Sequence, residues 1–270
     1  MAETIDLDGY FRRIGYGGSR APTLETLRAL HLRHALAIPF ENLDPLRRRP
    51  VRIDLASLEE KLVRGGRGGY CFEHNLLFKA ALDALGFRVA GLAGRVVWNL
   101  PDGVTLPRTH MLLRVAIDGQ DYIADVGFGG QTLTGPIRLI ADVEQATPHE
   151  PFRLRADGGG FLMQVQLAGA WRSLHRFDLQ EQALADYEMA NWFISTHPDS
   201  RFVKNLTAAL PAPDRRYALF NREFAVHHRN GPSEHRRLAG PAEVRQVLQE
   251  MFGLALPDGA DLEAALERLP

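Results

Sequence analysis

Cysteine is nearly absent: the 270-residue chain has one, Cys71. A lone thiol forms no intrachain disulfide, so the chain suits a reducing compartment. It also argues against a zinc centre, because His31-x-x-His34 offers two ligands at most, and these histidines are expected to line a helix surface. No metal is expected. Long apolar runs are missing too, with nothing near the ~18 residues of a membrane span. The opening "MAETIDLDGYF" lacks a basic region followed by an apolar core. The expectation is a cytoplasmic protein with no membrane partner. Neither sign of charge prevails, since 32 Lys and Arg face 33 Asp and Glu for a net charge of −1. Without a basic field, nucleic acid is not an expected partner. The local clusters Arg47-Arg48-Arg49 and Arg215-Arg216 are either solvated surface or a meeting point for a phosphorylated ligand. Repeats and low-complexity linkers are also absent.

What is present suits a globular α+β chain in three parts. With 45% hydrophobic and 24% charged residues, a chain of this length buries roughly three quarters of its unfolded surface. Residues 1–86 read as a helical domain. Leu24, Leu27, Leu30 and His34 share one helical stripe after Pro22. The run from Asn75 to Leu85 stops at Gly86, a C-cap signal. Residues 87–180 change period into six short β-rich segments with turns at Asp118-Gly119 and Asp157-Gly158-Gly159-Gly160, which suggests a small barrel or sandwich. Residues 181–270 mix helix with two strands, around 217–220 and 224–228, after a Pro-rich "LPAPD".

The stretch "VRGGRGGYCFEHNLLFKAAL" (63–82) carries the thiol. Two Arg-Gly-Gly triplets are too few, and lie between two predicted helices, for a disordered RNA-binding tract. A phosphate loop would need Lys-Ser/Thr after the glycines. The bland alternative for a lone cysteine is a small buried hydrophobe. Against it, Gly68 and Gly69 allow a sharp turn, and the thiol falls in or near the first turn of a helix, where unpaired amide hydrogens favour an anion.

A nucleophile needs a base, and the base an orienting acid. Of the ten histidines, His74 is near Cys71 but has no suitable acid, His227-His228 looks exposed, and His197 sits at a helix end. His110 opens the strand "HMLLRVAI". If Asp118-Gly119 is a two-residue loop, Ile117 pairs with Gln120, Leu112 with Asp125, and Asp125 becomes the diagonal neighbour of His110 on one face. A pair would explain two polar interruptions of apolar strands; two independent edge residues remain the alternative. The following "VGFGG" is either a β turn or an open loop that projects Phe128 as an aromatic wall.

Taken together, "IPFENL" (38–43), "RGGYCFEHN" (67–75), "HMLLRV" (110–115) and "ADVGFGG" (124–130) resemble the arylamine N-acetyltransferase family of bacterial type. The order and spacing match over the first half of the chain and weaken after about residue 210. The resemblance implies a helical bundle, a β-barrel and an α/β lid around a cysteine-protease-like Cys-His-Asp core. Cys71 would be the nucleophile, His110 the base and Asp125 the acid. Arg64, Arg67, Gly68, Gly69, Glu73 and Asn75 support the motif. Phe40, Phe128, Gly129 and Phe202 would bind substrate. The implied reaction is ping-pong N-acetylation of arylamines, arylhydrazines and arylhydroxylamines, with acetyl-CoA as donor, in xenobiotic metabolism. An amide synthase acting on a carrier-bound polyketide, or a thiol hydrolase or transglutaminase-like enzyme, is the alternative.

Overall fold

The computed structural model describes residues 4–101 and 104–270. Its helical part begins with α1 (Leu7–Ile14), capped by Asp6, and α2 (Leu24–Ala37), capped by Thr23. Next come a two-residue strand β1 (Phe40–Glu41), α3 (Leu43–Leu46) and α4 (Leu55–Leu58), which runs into a π-helical segment at Glu59–Arg64. The first Arg-Gly-Gly triplet ends that segment: Gly66 sits at φ +61°, where the helix stops. Helix α5 (Cys71–Ala84) follows, four residues longer at its start than the apolar pattern indicates, and Gly86 closes it at φ +86°. These helices and the inner faces of two strands form one core around Tyr10, Leu30, Phe72 and Phe78.

The second part is one antiparallel sheet. Its strands are β2 (Arg88–Val96), β3 (His110–Ile117), β4 (Gln120–Ala124), β5 (Ile137–Arg138), β6 (Glu144–Gln145), β7 (Phe152–Asp157), β8 (Gly160–Leu167) and β9 (Ala170–Glu181). Their order, β5-β4-β3-β2-β9-β8-β7-β6, leaves β5 and β6 as the two edges. Side-chain bonds join those edges: Arg138 N donates to Gln145 Oε1 at 2.7 Å, and Gln145 Nε2 donates to Arg138 O at 3.0 Å. The sheet thus curls into a nearly closed barrel and buries Leu112, Ile123, Phe152, Leu154 and Val165 inside it.

The third part holds α6 (Leu184–Thr196), α7 (Arg201–Lys204), β10 (Thr207–Ala212), β11 (Arg215–Phe220), β12 (Glu223–His228), β13 (Glu234–Arg237), α8 (Pro241–Glu250) and α9 (Ala260–Glu267). The Pro-rich stretch "LPAPD" begins inside a strand, because residues 210–212 are the end of β10. Pro211 is tolerated because β1, the neighbour on one side, reaches only Ala208 and Ala209. The five strands run β1-β10-β11-β12-β13, so a strand from ahead of the nucleophile completes a sheet made of residues beyond 206. Leu43 and Leu46 join that sheet's core with Val244, Leu248 and Phe252. No described helix is long and apolar enough to cross a membrane.

Candidate active site

Cys71 is the first residue of α5, and the glycines before it allow a close approach of two backbones. A side chain at Gly68 would put its Cβ 1.9 Å from the Pro39 carbonyl oxygen. With that space free, Gly69 N donates to Pro39 O (3.3 Å) and Glu41 N donates to Gly69 O (2.8 Å), which ties β1 to the lead-in of the helix. Glu73 Oε2 accepts the Tyr70 amide at 3.0 Å and caps the helix. Beneath the turn, Arg67 pairs with Glu41 (2.7 Å) and Asp44 (3.2 Å), while Lys61 pairs with Glu73 (2.6 Å) and Asp44 (2.7 Å). Three carboxylates thus face two cations. Burial pushes the Glu73 carboxyl up to about 7; Lys61 opposes this, but the excess of negative charge from Glu41 and Asp44 sustains it. Arg64 is exposed and pairs with Glu60 (2.8 Å), away from this cluster.

The base and acid come from the β3–β4 hairpin. Asp118 and Gly119 both take positive φ, 49° and 73°, as a two-residue turn between right-twisted strands requires. The register runs from Ile117↔Gln120 to Leu113↔Ala124, where the ladder ends one residue short of Asp125. His110 Nε2 lies 2.6 Å from Asp125 Oδ2, with both side chains almost fully buried. The other carboxylate oxygen accepts Asn75 Nδ2 and Gly127 N, each at 3.0 Å. Burial alone would raise the Asp125 carboxyl, but the His110 charge and hydrogen bond hold it well below the usual range. Burial would likewise lower His110; Asp125 and then the Cys71 sulfur reverse this and push its pKa up to about 10. Cys71 Sγ is 3.5 Å from the carbonyl of Thr109, the residue before His110. With Nε2 engaged by Asp125, Nδ1 of His110 is the nitrogen free to exchange a proton with the thiol. A Cβ on Gly127 would lie 2.8 Å from Cys71 Cα, so the loop after Asp125 seats directly on the nucleophile.

The aromatic residues divide between two sides. Phe40 meets Phe202 edge-on at 5.9 Å, Tyr70 meets Phe202 at 5.5 Å, and the Phe40 ring is 3.5 Å from where a Gly129 Cβ would stand. Phe128 instead stands edge-on to His110, with ring centroids 5.1 Å apart. Asn42 anchors the first group by donating to the Phe202 carbonyl at 2.9 Å.

Four histidines shape the site in ways the sequence reading missed. His31 and His34 are completely buried, not on a helix surface. Each lies four residues beyond a leucine of the stripe, Leu27 or Leu30, and that spacing was the available signal. His31 Nε2 accepts the backbone N–H of Asp125 at 3.1 Å. Tyr10 Oη, His34 Nδ1, His34 Nε2 and His74 Nδ1 form a chain with steps of 2.8 and 3.0 Å that ends on the Pro39 carbonyl (3.2 Å). Because that carbonyl only accepts, every tautomer in the chain is fixed and Tyr10 donates at its far end. Burial keeps His31 and His74 neutral, with pKa values lowered to about 4. His175, from β9, stands beside Asp125. Donor atoms of His110, Asp125 and His175 lie within 4.8 Å of one another, a spacing that could hold a metal ion, although the His110–Asp125 distance is that of a direct hydrogen bond.

Comparison with known proteins follows the same lines. A family model described as N-acetyltransferase matches residues 23–261. A curated arylamine N-acetyltransferase from Mycolicibacterium smegmatis is 46% identical over 266 residues, covering 96% of each chain. The solved structure of the Mycobacterium tuberculosis enzyme superposes with a TM-score of 0.94 at 45% identity, covering 97% of this chain and all of that one. The Mycobacterium marinum enzyme in complex with CoA superposes with a TM-score of 0.94 at 42% identity, over 98% and 99% of the two chains.

Proposed function

The chain belongs to the arylamine N-acetyltransferase family and is an acyltransferase, and we propose that it moves an acetyl group from acetyl-CoA to an aromatic nitrogen through an acetyl-cysteine on Cys71. The observation that carries this reading is the buried His110–Asp125 pair at 2.6 Å beside a cysteine that opens a helix. The Cys71 thiolate, paired with protonated His110, attacks the thioester carbonyl. The Cys71 amide at the first helical position has no intrahelical acceptor and can hold the oxyanion. As the carbon–sulfur bond to CoA breaks, His110 protonates the departing thiolate. Exchange of one thioester for another is nearly balanced, so the intermediate can persist. An arylamine, arylhydrazine or arylhydroxylamine nitrogen then attacks, His110 takes its proton, and the Cys71 thiolate leaves. Aromatic amines are largely neutral near pH 7 and arrive as competent nucleophiles. Phe40, Phe202 and Gly129 on one side and Phe128 on the other suit a flat aromatic acceptor. Asp125 orients His110, while Arg67, Glu73 and Asn75 position the turn and the acid. Residues 1–86, 87–180 and 181–270 serve as helical, barrel and lid units, with Phe40–Glu41 pairing into the lid sheet.

The test is intact mass after mixing the protein with acetyl-CoA. An acetyl adduct on the wild type, absent from Cys71→Ser and cleared by an aromatic hydrazine, is expected. A folded wild type that never acquires the adduct would overturn the proposal.

A further inference from the structure

Next to the His110–Asp125 pair lies a histidine to which the reaction scheme gives no part. His175 is 1% exposed. Its ring packs on His110 (4.7 Å between centroids), Phe128 (5.4 Å) and Phe177 (5.7 Å). Its Nε2 is 3.7 Å from Asp125 Oδ2, the oxygen that also holds His110. Its Nδ1 sits above Gly94, where a Cβ would come within 3.3 Å, and has no hydrogen-bond partner. The tautomer follows from these two facts. A neutral imidazole carries one N–H, and burying that N–H without an acceptor is worse than leaving a lone pair unmet. The hydrogen therefore belongs on Nε2, turned toward the carboxylate. A second charge at this spot is disfavoured, because burial and the neighbouring His110 charge keep the ring neutral. Among the described residues, the other ionisable groups that act on the pair are Cys71 and His74 from α5 and His31 from α2, and His31 bonds only the backbone of Asp125.

We propose that His175 is a positioning residue of the triad, whose neutral N–H shares Asp125 Oδ2 with His110 and so tempers the hold of the carboxylate on the His110 proton. The inference rests on reading Cys71, His110 and Asp125 as a triad. In that scheme His110 gives up its proton once and regains it once per turnover, so an acid that grips too hard slows the cycle. At 3.7 Å the contact is longer than a direct hydrogen bond and acts as an oriented dipole. Removing it leaves the full carboxylate charge to His110, which then keeps its proton to higher pH.

Two measurements test this, and neither needs acetyl-CoA. The first is the ratio of Cys71 alkylation by iodoacetate to that by iodoacetamide, followed against pH. Protonated His110 attracts the anionic reagent, so the ratio falls as His110 deprotonates. His175→Phe should move the midpoint up by about half a pH unit, the scale of losing one long neutral donor. His175→Gln, which retains an N–H, should restore most of the shift. A folded His175→Phe with the wild-type midpoint overturns the inference. A wild type with no preference for iodoacetate at any pH removes the triad reading itself, and this inference with it. The second measurement is nitrogen-15 NMR of histidine-labelled wild type, which needs no variant to fold. It should show neutral His175 protonated on Nε2, and a ring protonated on Nδ1 overturns the inference.

Discussion

Asp125 is bonded at every polar atom it has. Its carboxylate meets His110, Asn75 and Gly127, its N–H meets His31, and its carbonyl accepts from Thr132. Such a group is held in one orientation, and its charge is what fixes the proton on His110. Asp125→Asn should therefore retain the fold but reduce kcat/KM for acetyl transfer by about 10³–10⁴-fold, the scale known for amide replacement of a triad acid. Steady-state kinetics with a melting curve alongside would check it. The His110–Asp125 pairing was legible because a two-residue turn fixes register, and register decides which side chains share a face. The rest of Asp125's surroundings was not. Asn75 and His31 lie 50 and 94 residues away in sequence, and only the packing of α5 and α2 against the barrel brings them in.

At the level of elements, the site is the seam between the start of α5 and the loop that leaves β4. Gly127 rests on Cys71 Cα, whereas Gly130, three residues on, has nothing within 4 Å of where a Cβ would stand. Gly127→Ala should destabilise the protein by about 1–3 kcal/mol and abolish most activity. Gly130→Ala should change stability by less than about 0.5 kcal/mol. Urea denaturation and assay of the two variants side by side would show the contrast. The helices and the long barrel strands were readable from their periods. Five strands were not: β1, β5 and β6 have two residues each and no period, β10 contains Pro211, and β13 (Glu234–Arg237) is an exposed, charged edge. Burial of His31 and His34 was misjudged because a polar residue on an apolar stripe reads as surface until a partner such as His74 is known.

Across the whole molecule, buried histidines set the response to acid. His31 and His74 ionise at about 4 and His175 at about 3, and His34 is also held below its usual range by burial. Unfolded, each takes a proton near 6.5. The stability they represent is complete above pH 6.5 and is lost as pH falls from there toward 4. Glu73 acts oppositely, since a carboxyl raised to about 7 contributes most at low pH, but it is one group against four. His110, raised to about 10, adds stability that is full below 6.5 and disappears as pH climbs through 10. The melting temperature should peak near pH 6.5–7 and fall on the acid side by ~2–4 °C per pH unit for each histidine. Differential scanning fluorimetry across pH 4–10 would trace the curve.

The pairing of Phe40–Glu41 with Ala208–Ala209 bears on how the protein is made. During synthesis the nucleophile, base and acid have all emerged once residue 125 clears the ribosome. Strand β1, whose neighbours shape the glycine turn under Cys71, still lacks its partner then, because β10 arrives last among the segments that touch it. A nascent chain holding the complete catalytic trio would thus still wait for its far end before that turn is braced. The bracing of the catalytic turn depends on residues more than 130 positions beyond the nucleophile, and not on the trio alone.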